Sequence, residues 1–194
     1  MTHDIDEILI ADGEFQGAVA EVSDIDDTIV LTDQALKAAT KAELGIEMSR
    51  AEVRKLPKDV KRKFLRIAYD KYTDLLVPNE HWITTFNAKQ TNPTHIGIIL
   101  SARTQTIRKP TEELLKRLNV SFQYLVLSPP IMAHDEEFKA ESILELSKAF
   151  KEVKYYEDKL ENLEYILRQY PELCGKKIKL FLVDSTTVRE ISSH

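Results

Sequence analysis

The sequence is nearly devoid of cysteine. Cys174 stands alone, so no intramolecular disulfide can form and a four-cysteine zinc site is excluded. Long apolar runs are missing too. The longest are about strand length, far short of the ~20 residues that cross a bilayer as a helix. The opening Met1-Thr2-His3-Asp4-Ile5-Asp6-Glu7 has no basic start leading into an apolar stretch. No signal peptide is therefore expected, and a cytoplasmic location is. There is no general excess of positive charge: the net charge is −5, which argues against a binder that is basic throughout. The histidines (His3, His81, His95, His134, His194) show no metal-ligand spacing. No internal repeat and no low-complexity segment is present.

What remains describes a domain with a real core. The chain has 194 residues, 43% of them apolar and 30% charged, which suits one α/β domain over 1–194 with a small insertion. Apolar, β-branched segments predict strands at Ala18–Ser23, His95–Leu100, Phe122–Leu127, Val153–Tyr156 and Lys177–Val183. Helical stripes lie between them, at Thr111–Leu118, Glu136–Phe150 and Leu160–Tyr170. Buried strands alternating with helices predict a three-layer sandwich around a mostly parallel sheet.

One interval is too long for that pattern. From Thr28 to Ser101 the chain advances 73 positions, whereas a crossover helix with its turns needs roughly 30 to 40. The surplus is helical in composition, Ala35–Leu44 and then Ser49–Leu75. A helical cap insertion over about 33–78, at the end of the first strand, is the expectation. It carries nine basic residues between Arg50 and Lys71, among them Arg54, Lys55, Lys58, Lys61, Arg62 and Lys63, against the acids Glu52, Asp59 and Asp70. A solvated helix face explains such a patch. Steering of a phosphorylated or nucleic-acid substrate also fits it.

In an open parallel sheet, ligands bind at the carboxyl ends of the strands, and polar residues gather at those ends here. The first strand runs into Asp24-Ile25-Asp26-Asp27-Thr28, the second into Ser101, the fourth into Glu157-Asp158. Lys139 stands early in the helix after the third strand. This set suits phosphoryl transfer. Carboxylates are hard ligands for Mg²⁺, and an aspartate can act as nucleophile. A second carboxyl two residues on can move protons, while a lysine and a hydroxyl offset phosphate charge. An EF-hand calcium loop would need glycine and glutamate where Ile29 and Ala35 stand. A surface turn does not fit an acidic run with an apolar strand before it and Ile29, Val30 and Leu31 after it. A receiver domain would end its third strand on an aspartate; here that strand ends Leu127-Ser128-Pro129.

The series resembles the haloacid dehalogenase (HAD) superfamily over about residues 18–184. Its first motif is an apolar strand followed by Asp-x-Asp-x-Thr, here Val22 to Val30. The second is a strand ending in Ser or Thr, here Ile98 to Ser101. The third is a lysine, here Lys139. The fourth is an acidic pair after a strand, here Tyr155-Tyr156-Glu157-Asp158. The family's first motif often has glycine where this chain has Asp27. The resemblance implies a Mg²⁺-dependent phosphatase with Asp24 as nucleophile and metal ligand. Asp26 would be the acid/base, with its backbone carbonyl on the metal. Thr28 would brace the loop, and Ser101 with Lys139 and Arg103 would bind the phosphoryl group. Asp158 would complete the metal site, with Glu157 beside it as a second acidic ligand or an orienter. A narrower likeness, through Leu100-Ser101-Ala102-Arg103, Glu137-Phe138-Lys139 and Tyr156-Glu157-Asp158-Lys159, is to the Swiss army knife RNA-repair-like branch. That branch places arginine where Lys159 stands and a histidine a few residues on, which this chain lacks. The expected substrate is a phosphorylated small molecule, with a polynucleotide end as the alternative. A non-catalytic domain that only binds metal or phosphate is the third reading.

Overall fold

The computed structural model describes Ile5 and residues 15–130, 134–184 and 186–192, with the side chain of Lys58 left aside. The opening Met1–Glu7, on which the expectation of no signal peptide rests, lies outside the described residues, apart from Ile5. The chain divides into two compact units: Val30–Asn79, and the remainder on either side of it.

The larger unit is built on a six-stranded sheet. Its strands are β1 (Val19–Ser23), β4 (His95–Thr104), β5 (Tyr124–Ser128), β6 (Glu152–Glu157), β7 (Ile178–Val183) and β8 (Val188–Ile191). Their order is β5-β4-β1-β6-β7-β8. The first five strands run parallel, and β8 returns antiparallel on β7. β1 sits centrally, with β4 on one side and β6 on the other. The crossovers depart in opposite directions from it, so its carboxyl end is the crevice where such sheets take ligands.

Alternation along β1 sorts its side chains. Ala20 and Val22 enter a core with Ile98, Leu100, Val153, Tyr155 and Leu180. Helices α6 (Asp135–Ala149) and α7 (Leu160–Gln169) cover that core through Phe138, Ile143, Leu146, Leu163 and Ile166. α6 begins with Asp135, Glu136 and Glu137 and ends near Lys148, complementing the helix dipole at both ends. α7 stops before Pro171, whose ring cannot continue a helix. Glu21 and Ser23 point to the other face, where Trp82 of α4 (Glu80–Lys89) donates its Nε1–H to Ser23 Oγ at 2.9 Å. α5 (Arg108–Arg117) buries Thr111, Leu114 and Leu115. Helices on both faces of a mostly parallel sheet make the predicted α/β three-layer sandwich.

The smaller unit opens and closes on a two-stranded antiparallel pair, β2 (Val30–Leu31) with β3 (Val77–Pro78). Between them lie α1 (Asp33–Leu44), α2 (Arg50–Arg54), α3 (Lys58–Lys71) and a 3-10 turn at Thr73–Leu75. Gly45 ends α1 at φ 74°, a left-handed position that suits a residue without Cβ. Ser49 and Glu52 form a reciprocal capping box at the start of α2. Leu36, Ala39, Val53, Phe64 and Ala68 are buried.

Most element bounds shift by one to three residues from the sequence expectations, and three departures are larger. β4 continues past Leu100 to Thr104, because its pairing with β5 resumes at Thr104–Ser128 after an irregularity. The helical stretch Ser49–Leu75 is broken at Lys55–Pro57, since Pro57 lacks the amide a continuing helix needs. β8, a short exposed strand with no apolar alternation, has no sequence signal of its own.

Candidate active site

Asp24 follows β1 directly and is tied to the next strand by its amide, which donates to the Tyr156 carbonyl at 2.9 Å. The chain then folds through a tight turn, with the Thr28 and Ile29 amides donating to the Ile25 carbonyl at 3.3 and 2.8 Å. Ile25 and Ile29 are fully buried and anchor that turn. Asp27 adopts φ 68°, in the left-handed region where glycine is at ease and Asp or Asn is tolerated.

Lys139 reaches the site from the second turn of α6. It is 1% exposed, and its Nζ lies 2.9 Å from Asp24 Oδ1 and 2.6 Å from Glu157 Oε2. Burial alone would lower the Lys139 pKa, but the charges of Asp24 and Glu157 more than reverse this and hold it well above its ordinary value. Glu157 ends β6 and is fully buried. Its Oε2 accepts from Lys139, from the Tyr155 hydroxyl at 2.6 Å and from Asn162 Nδ2 at 2.8 Å, while Oε1 accepts from the Lys159 amide at 3.2 Å. Burial would raise its pKa, but the Lys139 and Lys159 charges, with the hydrogen bonds from Lys139 and Tyr155, pull it well below the usual carboxylate range.

Asp24 goes the other way. Burial raises its pKa, the negative charge of Glu157 adds to that, and Asp158 and Asp26 contribute further; Lys139 opposes them. The cause is crowding: one ammonium is shared between two buried carboxylates. Carboxylate oxygens of Asp24, Glu157 and Asp158 lie within 4.8 Å of one another. A hard divalent cation fits this all-oxygen donor set and would supply the positive charge that the crowded acids lack. Glu157 already accepts four hydrogen bonds.

Asp26 is held from another direction. Arg103 Nε and Nη2 donate to its two oxygens at 3.1 and 2.7 Å, a planar bidentate pair. Arg103 is 6% exposed, and its amide donates to Ser101 Oγ at 3.3 Å. Ser101 itself is buried on β4, two positions beyond Ile99, the partner of Ser23. Thr28 is buried in the turn after Asp26.

The structure thus joins Asp24, Lys139 and Glu157 directly, with Asp158 alongside, and pairs Asp26 with Arg103. Sequence reasoning missed Tyr155 and Asn162. Tyr155 reads as a strand residue and Asn162 as a helix residue, but each lies on the face that meets Glu157, two and five positions away. In the smaller unit Arg54, Lys55, Arg62 and Lys63 are exposed and Lys61 is half-buried. Lys63 pairs with Glu43 at 2.7 Å. The side chain of Lys58 lies outside the described residues.

Comparison with solved structures defines the class: the chain has the HAD-like fold. It is similar to a chain of the Pnkp1/Rnl/Hen1 complex (TM-score 0.58, 18% identity), covering 89% of this chain and 47% of that one. This chain therefore spans about half the length of that protein. It is also similar to a haloacid dehalogenase-like family hydrolase from Streptococcus pneumoniae (TM-score 0.52, 15% identity, 78% and 80% covered). A third is a HAD-superfamily hydrolase of subfamily IA from Geobacter sulfurreducens PCA (TM-score 0.52, 11% identity, 87% and 88% covered). No family model matches the sequence, and no curated protein does. Among the described residues no helix is long and apolar enough to cross a membrane.

Proposed function

We propose that this chain is a Mg²⁺-dependent phosphatase that hydrolyses a phosphomonoester through an aspartyl-phosphate at Asp24. The observation that carries the reading is the contact of Lys139 Nζ with Asp24 Oδ1 at 2.9 Å, at the carboxyl end of the central strand. A buried ammonium there works against the crowding that raises the Asp24 pKa, and draws an anionic phosphoryl group toward the nucleophile. Mg²⁺, held by Asp24, Asp158 and the Asp26 carbonyl, would offset phosphate charge.

In the first step an Asp24 oxygen bonds to phosphorus, the ester oxygen leaves, and Asp26 gives it a proton. In the second, Asp26 takes a proton from water, whose oxygen attacks phosphorus, and the bond to Asp24 breaks. Orthophosphate leaves and Asp24 is restored. Asp26 can take part only when Arg103 loosens its bidentate grip. An incoming phosphoryl group competes for the same guanidinium, so Arg103 serves as phosphate ligand once substrate arrives. Ser101 and Thr28 complete the phosphate contacts.

Asp24→Asn is expected to abolish hydrolysis of a generic aryl phosphate. Wild-type turnover by that variant sinks the mechanism. Mg²⁺ binding with no turnover on a broad phosphate panel would favour a non-catalytic domain. The exposed Arg54, Lys55, Arg62 and Lys63 favour a second reading, processing of polynucleotide ends. It expects salt-sensitive oligonucleotide binding that is lost when Lys61, Arg62 and Lys63 become glutamate.

A further inference from the structure

On the face of the sheet that carries α4, away from Lys139 and its helix, a second cavity opens with a volume of about 310 Å³. That is the lower end of the range for small-molecule clefts, about 300–1,000 Å³. Its origin is a row of charges across the strands. Pairing aligns Glu21 of β1 with Lys154 of β6, and Lys154 with Lys179 of β7. Glu21 is fully buried, and the reaction at Asp24 gives it no part. Its carboxylate takes the Tyr156 hydroxyl at 2.8 Å, has His95 Nδ1 at 2.9 Å, and holds Lys154 Nζ at 3.3 Å. Lys89 of α4 stands 3.9 Å off. Glu152 takes Lys179 at 3.0 Å.

These acids position the ammonium groups and stay out of the walls. The cavity is lined by Lys89, Lys154 and Lys179, with Glu190 as its acid and the Thr85 hydroxyl on the α4 side. Glu21, Glu152 and Glu190 balance the three lysines in charge, but each ammonium has three donors and keeps N–H groups to offer beyond its bond to the acid behind it. The remaining wall is flat and aromatic. Tyr156 stacks on Phe181 (centroids 4.8 Å apart, planes within 18°), and the half-buried Phe181 faces the cavity beside Val188.

We propose that this cavity is a nucleotide-binding site, separate from the Asp24 centre, with the phosphate on Lys89, Lys154, Lys179 and Thr85 and the base against Phe181. Clustered ammonium groups give phosphate oxygens charge-assisted hydrogen bonds, and an aromatic face accepts any base. A bare anion leaves the aromatic wall unused, and an acidic peptide has no ring to set on it. The nucleotide is free or belongs to a single strand; the chemistry at the site is the same.

Trp82, the one tryptophan of the chain, lines the cavity, so its emission reports occupancy directly. The intact chain is titrated in chelator, where no phosphoryl transfer is expected, with adenosine monophosphate, adenosine, inorganic phosphate, a short single-stranded oligonucleotide and a polyglutamate peptide. Adenosine monophosphate should give a saturable change, with adenosine and phosphate each weaker by about tenfold or more. Lys154→Gln and Lys179→Gln should each weaken it about tenfold, the loss of one charge-assisted contact. Turnover of an aryl phosphate should equal the wild type in both variants. An oligonucleotide that binds well above the mononucleotide identifies a strand as the source, and equal binding identifies the free nucleotide; either supports the site. No saturable response to mononucleotide or oligonucleotide overturns it. So does a response undiminished in the double lysine variant with a native circular dichroism spectrum, or a peptide or phosphate that binds as tightly as the nucleotide. Because binding is read without turnover, a protein that hydrolyses nothing would still answer the question.

Discussion

At the scale of single residues, three buried charges share one crevice and divide unevenly. Glu157 is ionised against Lys139, and Asp24 is left crowded. Glu157's pKa lies below its unfolded value, so the stability it brings is present above the ordinary carboxylate range and is lost as pH falls through the depressed value. Asp24's lies above, so its stabilising effect is present below that range and is lost as pH rises through the raised value. Asp24→Asn should therefore raise the melting temperature in chelator at neutral pH, by roughly 1–2 kcal/mol of stability. The gap should shrink toward about pH 4, where the carboxyl is protonated anyway. Thermal melts at the two pH values check this; equal melting temperatures at neutral pH would refute it. At Asp27 the backbone conformation sets a constraint. Its φ of 68° explains why the resembling motif so often has glycine there. Asp27→Val, which puts a β-branched residue in that region, should cost about 1–2 kcal/mol or more in urea titration.

At the scale of elements, the site depends on a few segments that each bring several groups. β6 supplies Tyr155 and Glu157 on one face and Tyr156 on the other, so one strand serves the crevice and the lysine cavity. α7 then returns Asn162 to Glu157. Tyr155→Phe removes one of the donors to a buried carboxylate and should destabilise the chain by roughly 1–3 kcal/mol in urea titration. No loss would mean that the hydroxyl is dispensable to Glu157. The five parallel strands, and the polar residues at the ends of the first, second and fourth, were legible because β-branched runs and their polar stops lie within a few residues of one another. The pairings were not. Arg103 and Asp26 stand 77 positions apart, and nothing local marks which acid the guanidinium will reach. Glu21 and Lys154 stand 133 apart and become neighbours only through strand register. β8 is invisible for a related reason: its partner, β7, gives it order.

At the scale of the molecule, the excess length between Thr28 and Ser101 was legible as surplus. The structure gathers Val30–Asn79 into a compact unit of its own, with helices at Asp33–Leu44, Arg50–Arg54 and Lys58–Lys71. The expected role of that unit as a cap belongs to the proposal, as do the substrate and the metal. The likeness to solved HAD-like structures is in fold, at identities of 11–18%. At that distance the sheet and its crevice are shared, while the residues that choose a substrate are free to change.

The short pair β2–β3 sets Val30 opposite Pro78 and Leu31 opposite Val77, so the chain leaves the larger unit and re-enters it at nearly the same point. The whole helical segment is therefore topologically a decorated hairpin loop. Joining Leu31 to Val77 through Asn-Gly, the two-residue turn that suits such a pair, should leave a shortened chain with the six-stranded sheet intact. Circular dichroism and a cooperative melt would show it, and an unfolded product would mean the sheet needs its insert. If the shortened chain folds, this segment is interchangeable in the way a tool head is. A lineage could then exchange one loop without disturbing Asp24 or the strand that presents it.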